Sequence, residues 1–129
     1  MITKEKCINY ILQKVPEFQN SWEIHLNYWE SEEAGLCNDV SSFARFTIEK
    51  TNSKNQELLN TVFAVAEELL IDGDEDVRTA VATCFLENLL NGVSAGTISN
   101  SSFLSFLGEN SKKHCRKWDE FTGVKTIGL

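Results

Sequence analysis

Proline occurs once in the 129 residues, at Pro16, and no Ser/Gly-rich run is present. Flexible or proline-stiffened linkers are therefore missing, which excludes a modular chain and leads us to expect one domain over residues 1–129. Long apolar runs are also lacking. The longest, Val62 to Ala66, is far too short to cross a bilayer. The opening "MITKEKCINYILQKV" spaces its apolar residues at helical intervals and has no continuous apolar centre, so it does not read as a signal peptide. The expected location is the cytoplasm. Four cysteines stand far apart at Cys7, Cys37, Cys84 and Cys115 without a Cys-x-x-Cys pair, which argues against a small disulfide scaffold and for reduced structural thiols.

Chemistry-bearing residues are as sparse. The two histidines are His25 and His114. His25 lies between Trp22 and Trp29, a packing position, and His114 beside Cys115 points away from it on a helix. Neither a phosphate-binding glycine loop nor a two-histidine metal motif occurs, and pairs such as Glu67–Glu68 read as solvated helix faces. No catalytic, cofactor-binding or metal-ligating residue is assigned on this reading, and no enzyme is expected.

Acidic residues are plentiful. Nineteen acids against twelve bases give a net charge of −7. Residues 16–49 hold seven acids and one base, Arg45; residues 55–91 hold eight acids and one base, Arg78. The basic residues of "KKHCRKW", Lys112 to Trp118, form the one positive patch. This balance disfavours nucleic acid and anionic membranes as partners and favours a cationic protein.

The apolar periodicity is helical throughout. Thr3 can cap a first helix facing inward through Cys7, Ile8, Ile11, Leu12 and Val15, which Pro16 stops. A second helix carries Phe18, Trp22, Leu26 and Trp29, with Asn20 and Glu23 placed as a capping box. Gly35 breaks it, and Asn38 or Asp39 can cap a third helix with Val40, Phe43, Ala44 and Thr47 inward. "NQELLNTVFAVAEELLI" is the clearest helix, ended by Gly73 in a left-handed turn; the next ends at Gly92. A loop, a short helix at "FLSFL" and a helix with Cys115, Trp118 and Phe121 inward complete the chain, with Val124–Leu129 a possible strand. The fold class is all-α, a compact bundle of six or seven antiparallel helices.

Two acidic segments stand out. In "IDGDEDV", Asp72, Asp74 and Asp76 have the alternate spacing of a calcium loop. The glycine required at the sixth position is Val77, however, and the glutamate required at the twelfth is Thr83. A helix corner explains the segment better: Asp74 caps the following helix, and Glu75 and Asp76 complement its dipole, worth roughly 0.3–1 kcal/mol each. The second segment, "NYWESEEAGLCND", sets Tyr28 and Trp29 beside Glu30, Glu32, Glu33 and Asp39. Aromatic anchors next to charge suit a protein-binding surface. Trp29 continues the buried stripe; Tyr28 lies off it.

Asp74, Asp76, Val77, Arg78, Ala80 and Val81 resemble the turn and second helix of a HEAT-type repeat, which implies HEAT-like helical pairs. No second copy recurs at a fixed period. The acidic, helical character also resembles the immunity proteins of bacterial toxin–immunity systems, including contact-dependent growth inhibition. That resemblance implies a monomer without cofactor that covers the active site of a cognate basic toxin domain, a nuclease and preferably a ribonuclease. The residues expected to face it are Tyr28 with Glu30, Glu32, Glu33 and Asp39, or else Asp72, Asp74, Glu75 and Asp76, or the two clusters as one surface. The competing reading is a HEAT-like adaptor that binds a peptide through its aromatic residues.

Overall fold

A computed structural model describes residues 1–30 and 32–129. Its described residues form seven α-helices and no strand: α1 (Cys7–Lys14), α2 (Gln19–Trp29), α3 (Leu36–Thr51), α4 (Gln56–Asp72), α5 (Glu75–Ala80), α6 (Glu87–Ala95) and α7 (Glu109–Thr122). A π-helical segment, Val81–Leu86, joins α5 to α6 without a break. The buried apolar side chains make one cluster. A line of phenyl rings crosses it, from Phe18 to Phe43 at 5.1 Å, on to Phe85 at 5.3 Å, to Phe63 at 5.9 Å and to Phe103 at 6.0 Å. Such pairs add about 0.5–1.5 kcal/mol each beyond the area they bury.

The acidic corner between α4 and α5 is a capped turn. Asp74 Oδ1 accepts from the Val77 amide at 2.9 Å, and Oδ2 accepts from the Lys4 amide at 3.0 Å. The N-terminal strand-like segment lies along the same turn: Ile2 N donates to Asp72 O at 2.7 Å, and Asp74 N donates to Ile2 O at 2.8 Å. This pairing draws residues 1–3 into an extended path, so Thr3 does not cap α1; the helix begins at Cys7, after a turn. Gly73 is extended (φ −74°, ψ 154°), not left-handed as the sequence suggests. It is needed for space, since a Cβ there would strike the Leu69 carbonyl and the Val77 side chain.

Other helix ends also depart from the periodicity. Gly35, with φ 89°, precedes α3, because Asn38 Nδ2 is committed to the Ala34 carbonyl and Asp39 to a histidine. The α2 capping box does not form; a 3₁₀ turn at Pro16–Phe18 leads into the helix instead. The helix expected to stop at Gly92 runs on to Ala95 and ends at Gly96 in the left-handed conformation (φ 78°). Gly92 is buried inside it, where the Thr97 and Ile98 side chains pack at 3.0 and 3.3 Å from where a Cβ would lie. On α7 the inward positions are Ser111, Cys115 and Trp118, so Phe121 falls off the stripe and is 83% exposed. Residues 124–129 form no strand but an irregular segment with a turn at Ile127–Gly128, held where Thr126 donates through N and Oγ1 to Asp119, at 2.7 and 2.9 Å.

Two cross-links bind the bundle. The first is covalent. Cys37, exposed at the start of α3, is disulfide-bonded to Cys84, buried in the π segment. The expectation of four reduced thiols is thus corrected: only Cys7 and Cys115 are free. Sequence spacing hid the pair because its partners lie 47 residues apart and meet only through tertiary packing. The second is a carboxylate of α4 capping α7. Glu67 accepts from the amides of Asn110 and Ser111 at 2.9 and 3.0 Å and from their side chains, both at 2.9 Å. Gly108 permits this approach, since a Cβ there would lie 2.5 Å from Glu67 Cδ. The solvated-face reading of Glu67 is therefore corrected as well.

Burial raises the Glu67 pKa, but the hydrogen bonds from Asn110 and Ser111 outweigh it and hold the carboxyl below its usual value. A folded-state pKa below the unfolded one adds stability at neutral pH that disappears as pH falls through the folded value. Glu67→Gln should cost about 1–3 kcal/mol in urea unfolding at pH 7. The gap from wild type should close as the pH is lowered toward 3. A gap that does not change with pH would show that the charge on Glu67 has no part in the cap.

Candidate interaction surface

The surface is organised by α2, which lies on α3 between two grooves. Phe18, on the turn before α2, is followed by Trp22, His25 and Trp29 at steps of four, three and four. Trp29 is half-buried and stands outside the core cluster, so the buried stripe expected to reach it stops at His25. His25 thus takes the place the periodicity assigned to Leu26, which is 46% exposed. The imidazole is 4% exposed and stacks on Trp22 at a ring distance of 5.3 Å, with Trp29 at 6.4 Å. Its Nε2 makes a 2.9 Å hydrogen bond with Asp39 Oδ1, joining α2 to α3. An ionised carboxylate can only accept, so Nε2 carries the hydrogen. Bonds to a charged partner contribute roughly 1.5–3 kcal/mol, and losing Asp39 would leave a buried imidazole unpaired.

The larger groove, about 670 Å³, lies between the start of α1, α2 and the 32–36 connection. Trp22, Trp29 and Leu26 supply its apolar wall and Glu32, Glu33 and Asp39 its acidic rim. A second groove of about 450 Å³ lies between α2 and α3, lined by Ile24, Tyr28, Trp29, Arg45, Phe46 and Glu49 among others. His25 and Trp29 line both.

The expected partner-binding residues divide accordingly. Tyr28 is 81% exposed at the second groove, as its place off the stripe implies. Glu32 and Glu33 are exposed on the first groove and form no salt bridge among the described residues. Glu30 is exposed where α2 ends, with φ 55°. Asp39 is the exception within this cluster, since one of its oxygens is held by His25. Asp72, Glu75 and Asp76 are exposed at the α4–α5 corner, whereas Asp74 is occupied as a cap.

Lys4 connects the two clusters. It lines the large groove with Glu32 and Glu33, its amide is bound by Asp74, and its Nζ lies 3.9 Å from Asp76. The buried Cys7 thiol reports the same neighbourhood. Burial, then the charges of Asp74 and Asp39, push its pKa up to about 12. The corner and the groove rim therefore border one face around the start of α1. Behind Asp39, the buried Ser42 hydroxyl donates to the Asp39 carbonyl at 2.6 Å. His114, elsewhere, bonds Glu87 at 2.8 Å between α7 and α6.

Sequence reasoning assigned His25 to packing and overlooked its bond to Asp39. The signal was present: His25 stands three residues after Trp22 and four before Trp29, on their face of the helix. Which carboxylate would meet it depended on how α2 crosses α3.

The Cys37–Cys84 bridge anchors this rim, two residues before Asp39. Beside it, Asn88 Nδ2 donates to the Cys84 carbonyl at 2.7 Å and to Ser41 Oγ at 3.2 Å. Closing a loop of this length stabilises a fold by up to about 4 kcal/mol in the chain-entropy account. The double variant C37S/C84S should lose stability up to that amount. Iodoacetamide should modify no cysteine in the native protein, because Cys7 and Cys115 are buried and their thiols are pushed up to about 12. In denaturant without reductant it should modify two, and with reductant all four. Four modified without reductant would contradict the bridge.

No curated protein and no solved structure matches the chain. Residues 8–123 match a family described as a domain of unknown function, DUF7674. That match runs from the second residue of α1 through the end of α7 and takes in the second groove, the acidic corner and all of the large groove except Lys4 and Glu5. The chain belongs to the DUF7674 family.

Proposed function

We propose that this protein is an immunity protein, which binds a cationic toxin domain and blocks its active site. The toxin is a nuclease, with a ribonuclease preferred, whose Lys and Arg residues are adapted to phosphate. The observation that carries the reading is the shared border at Lys4, which sets Glu32 and Glu33 and the Asp72–Asp76 corner on one face beside the half-buried indoles of Trp22 and Trp29. Carboxylates so arranged resemble a nucleic-acid backbone in charge, and complementary fields speed encounter as well as select the partner. The protein acts as a monomer, without cofactor, in the cytoplasm where the toxin's substrate lies. The Cys37–Cys84 bridge is the observation that pulls against this location, since disulfides persist chiefly in oxidising compartments.

A second reading, an adaptor that holds a peptide, draws support from the exposed Ile24, Leu26 and Tyr28 flanking both grooves. It predicts several partners of moderate affinity and little dependence on salt.

Association kinetics separate the two readings. With the basic partner that copurifies from the native cell, raising the salt from 0.05 to 0.5 M (roughly 14 to 4 Å of screening length) should slow association about tenfold or more. The charge reversals E32K and E33K together should slow it comparably and weaken protection of the cell. A rate indifferent to both salt and reversal would overturn the immunity reading.

A further inference from the structure

We propose that the large groove is a receptor for a single arginine side chain of the partner, an inference that rests on the reading above and names what the groove recognises. The argument starts from His25. Its Nε2 donates to Asp39, which leaves Nδ1 as a lone-pair acceptor in the neutral ring. Nδ1 has no hydrogen-bond partner among the described residues. Since no fully enclosed side-chain nitrogen or oxygen among them lacks a partner, this atom is reachable from the grooves the ring lines, of which the large one carries the acidic rim. A side chain that is otherwise buried thus offers one unused acceptor beside an acidic rim.

The surroundings select the donor. Trp22 and Trp29 flank the imidazole, and both line the groove. Four carboxylates, of Glu5, Glu32, Glu33 and Asp39, face it against one ammonium, that of Lys4, which has Asp76 as its ion-pair partner. A guanidinium is planar, stacks on an indole, gives up its hydration more readily than an ammonium, and presents several N–H groups in one plane. It can donate to Nδ1 and to a rim carboxylate while lying against an indole face. A lysine ammonium matches the charge but neither the plane nor the number of directed donors. Proteins that bind phosphate carry arginine in their active sites, so the groove would remove a residue on which such a partner depends.

The test needs no partner. Protein labelled with ¹⁵N at its indoles is titrated with N-acetyl-arginine amide, with the lysine amide, and with the amide of citrulline, the neutral isostere of arginine. Trp118, half-buried on α7, serves as the internal control. The arginine amide should move the Trp22 and Trp29 indole signals saturably, with a dissociation constant in the millimolar range, and leave Trp118 in place. The lysine amide should bind several-fold more weakly and the citrulline amide should have no effect. His25→Phe removes the acceptor together with the bond to Asp39 and should weaken arginine binding about tenfold, whereas Asp39→Asn, which keeps the imidazole but not the carboxylate, should weaken it less. If that variant does not fold, the double variant E32Q/E33Q decides, with an expected loss of several-fold. Equal shifts from citrulline, equal binding of lysine, or full affinity in the variants would overturn the proposal. Failure here with salt-sensitive capture of a basic partner would remove the arginine receptor alone. Arginine binding with salt-insensitive capture would remove the immunity reading alone.

Discussion

The hydrogen bond from His25 Nε2 to Asp39 Oδ1 sets the position on which the rest of this surface depends. It crosses from α2 to α3 near the point where the Cys37–Cys84 bridge fastens α3 to the π segment. Rotation of α2 is thereby limited from both sides, by the phenyl and indole rings below and by the carboxylate beside. The same bond fixes which imidazole nitrogen is spent internally. Two grooves that share His25 and Trp29 are the geometric result.

Acidic residues serve two purposes here. Asp74, Glu67 and Asp119 are tied to backbone amides, where they end or begin helices and hold the chain termini down. Glu32, Glu33, Asp72, Glu75 and Asp76 remain exposed. A sequence with this much negative charge pays a cost in self-repulsion, which the capping carboxylates partly offset by facing helix N-termini. The five exposed acids just named border the start of α1, while other exposed acids, among them Glu17, Glu23, Glu49, Glu57, Glu68 and Glu120, are spread over the remaining helices, where they serve solubility.

The all-α class was legible in the sequence because apolar spacing reports helix faces directly, and the corner at Asp72–Asp74 was legible because an aspartate before a helix has one strong local use. The departures have a common cause. The disulfide, the His25–Asp39 bond and the Glu67 cap join residues 14 to 47 positions apart, and no local pattern specifies such partners. Two further departures concern helix faces: on α2 a single-position shift puts His25 where Leu26 was expected, and on α7 the inward stripe stops at Trp118, one turn before Phe121. Over a few turns a 3.6-residue period fits neighbouring positions almost equally well, and side-chain packing then selects between them. The exposure of the residues expected to face a partner was legible only in part. Tyr28, Glu32 and Glu33 stand exposed on the grooves, while Asp39 and Asp74 are partly spent on the fold.

That a basic partner sits on this face is tested most directly by hydrogen–deuterium exchange on the protein alone and with the basic partner that copurifies with it. The account predicts slowed exchange in residues 22–39 and 71–76, with the rest of the bundle unchanged. Slowed exchange confined to α7, which carries the basic residues Lys112 to Lys117, would contradict it.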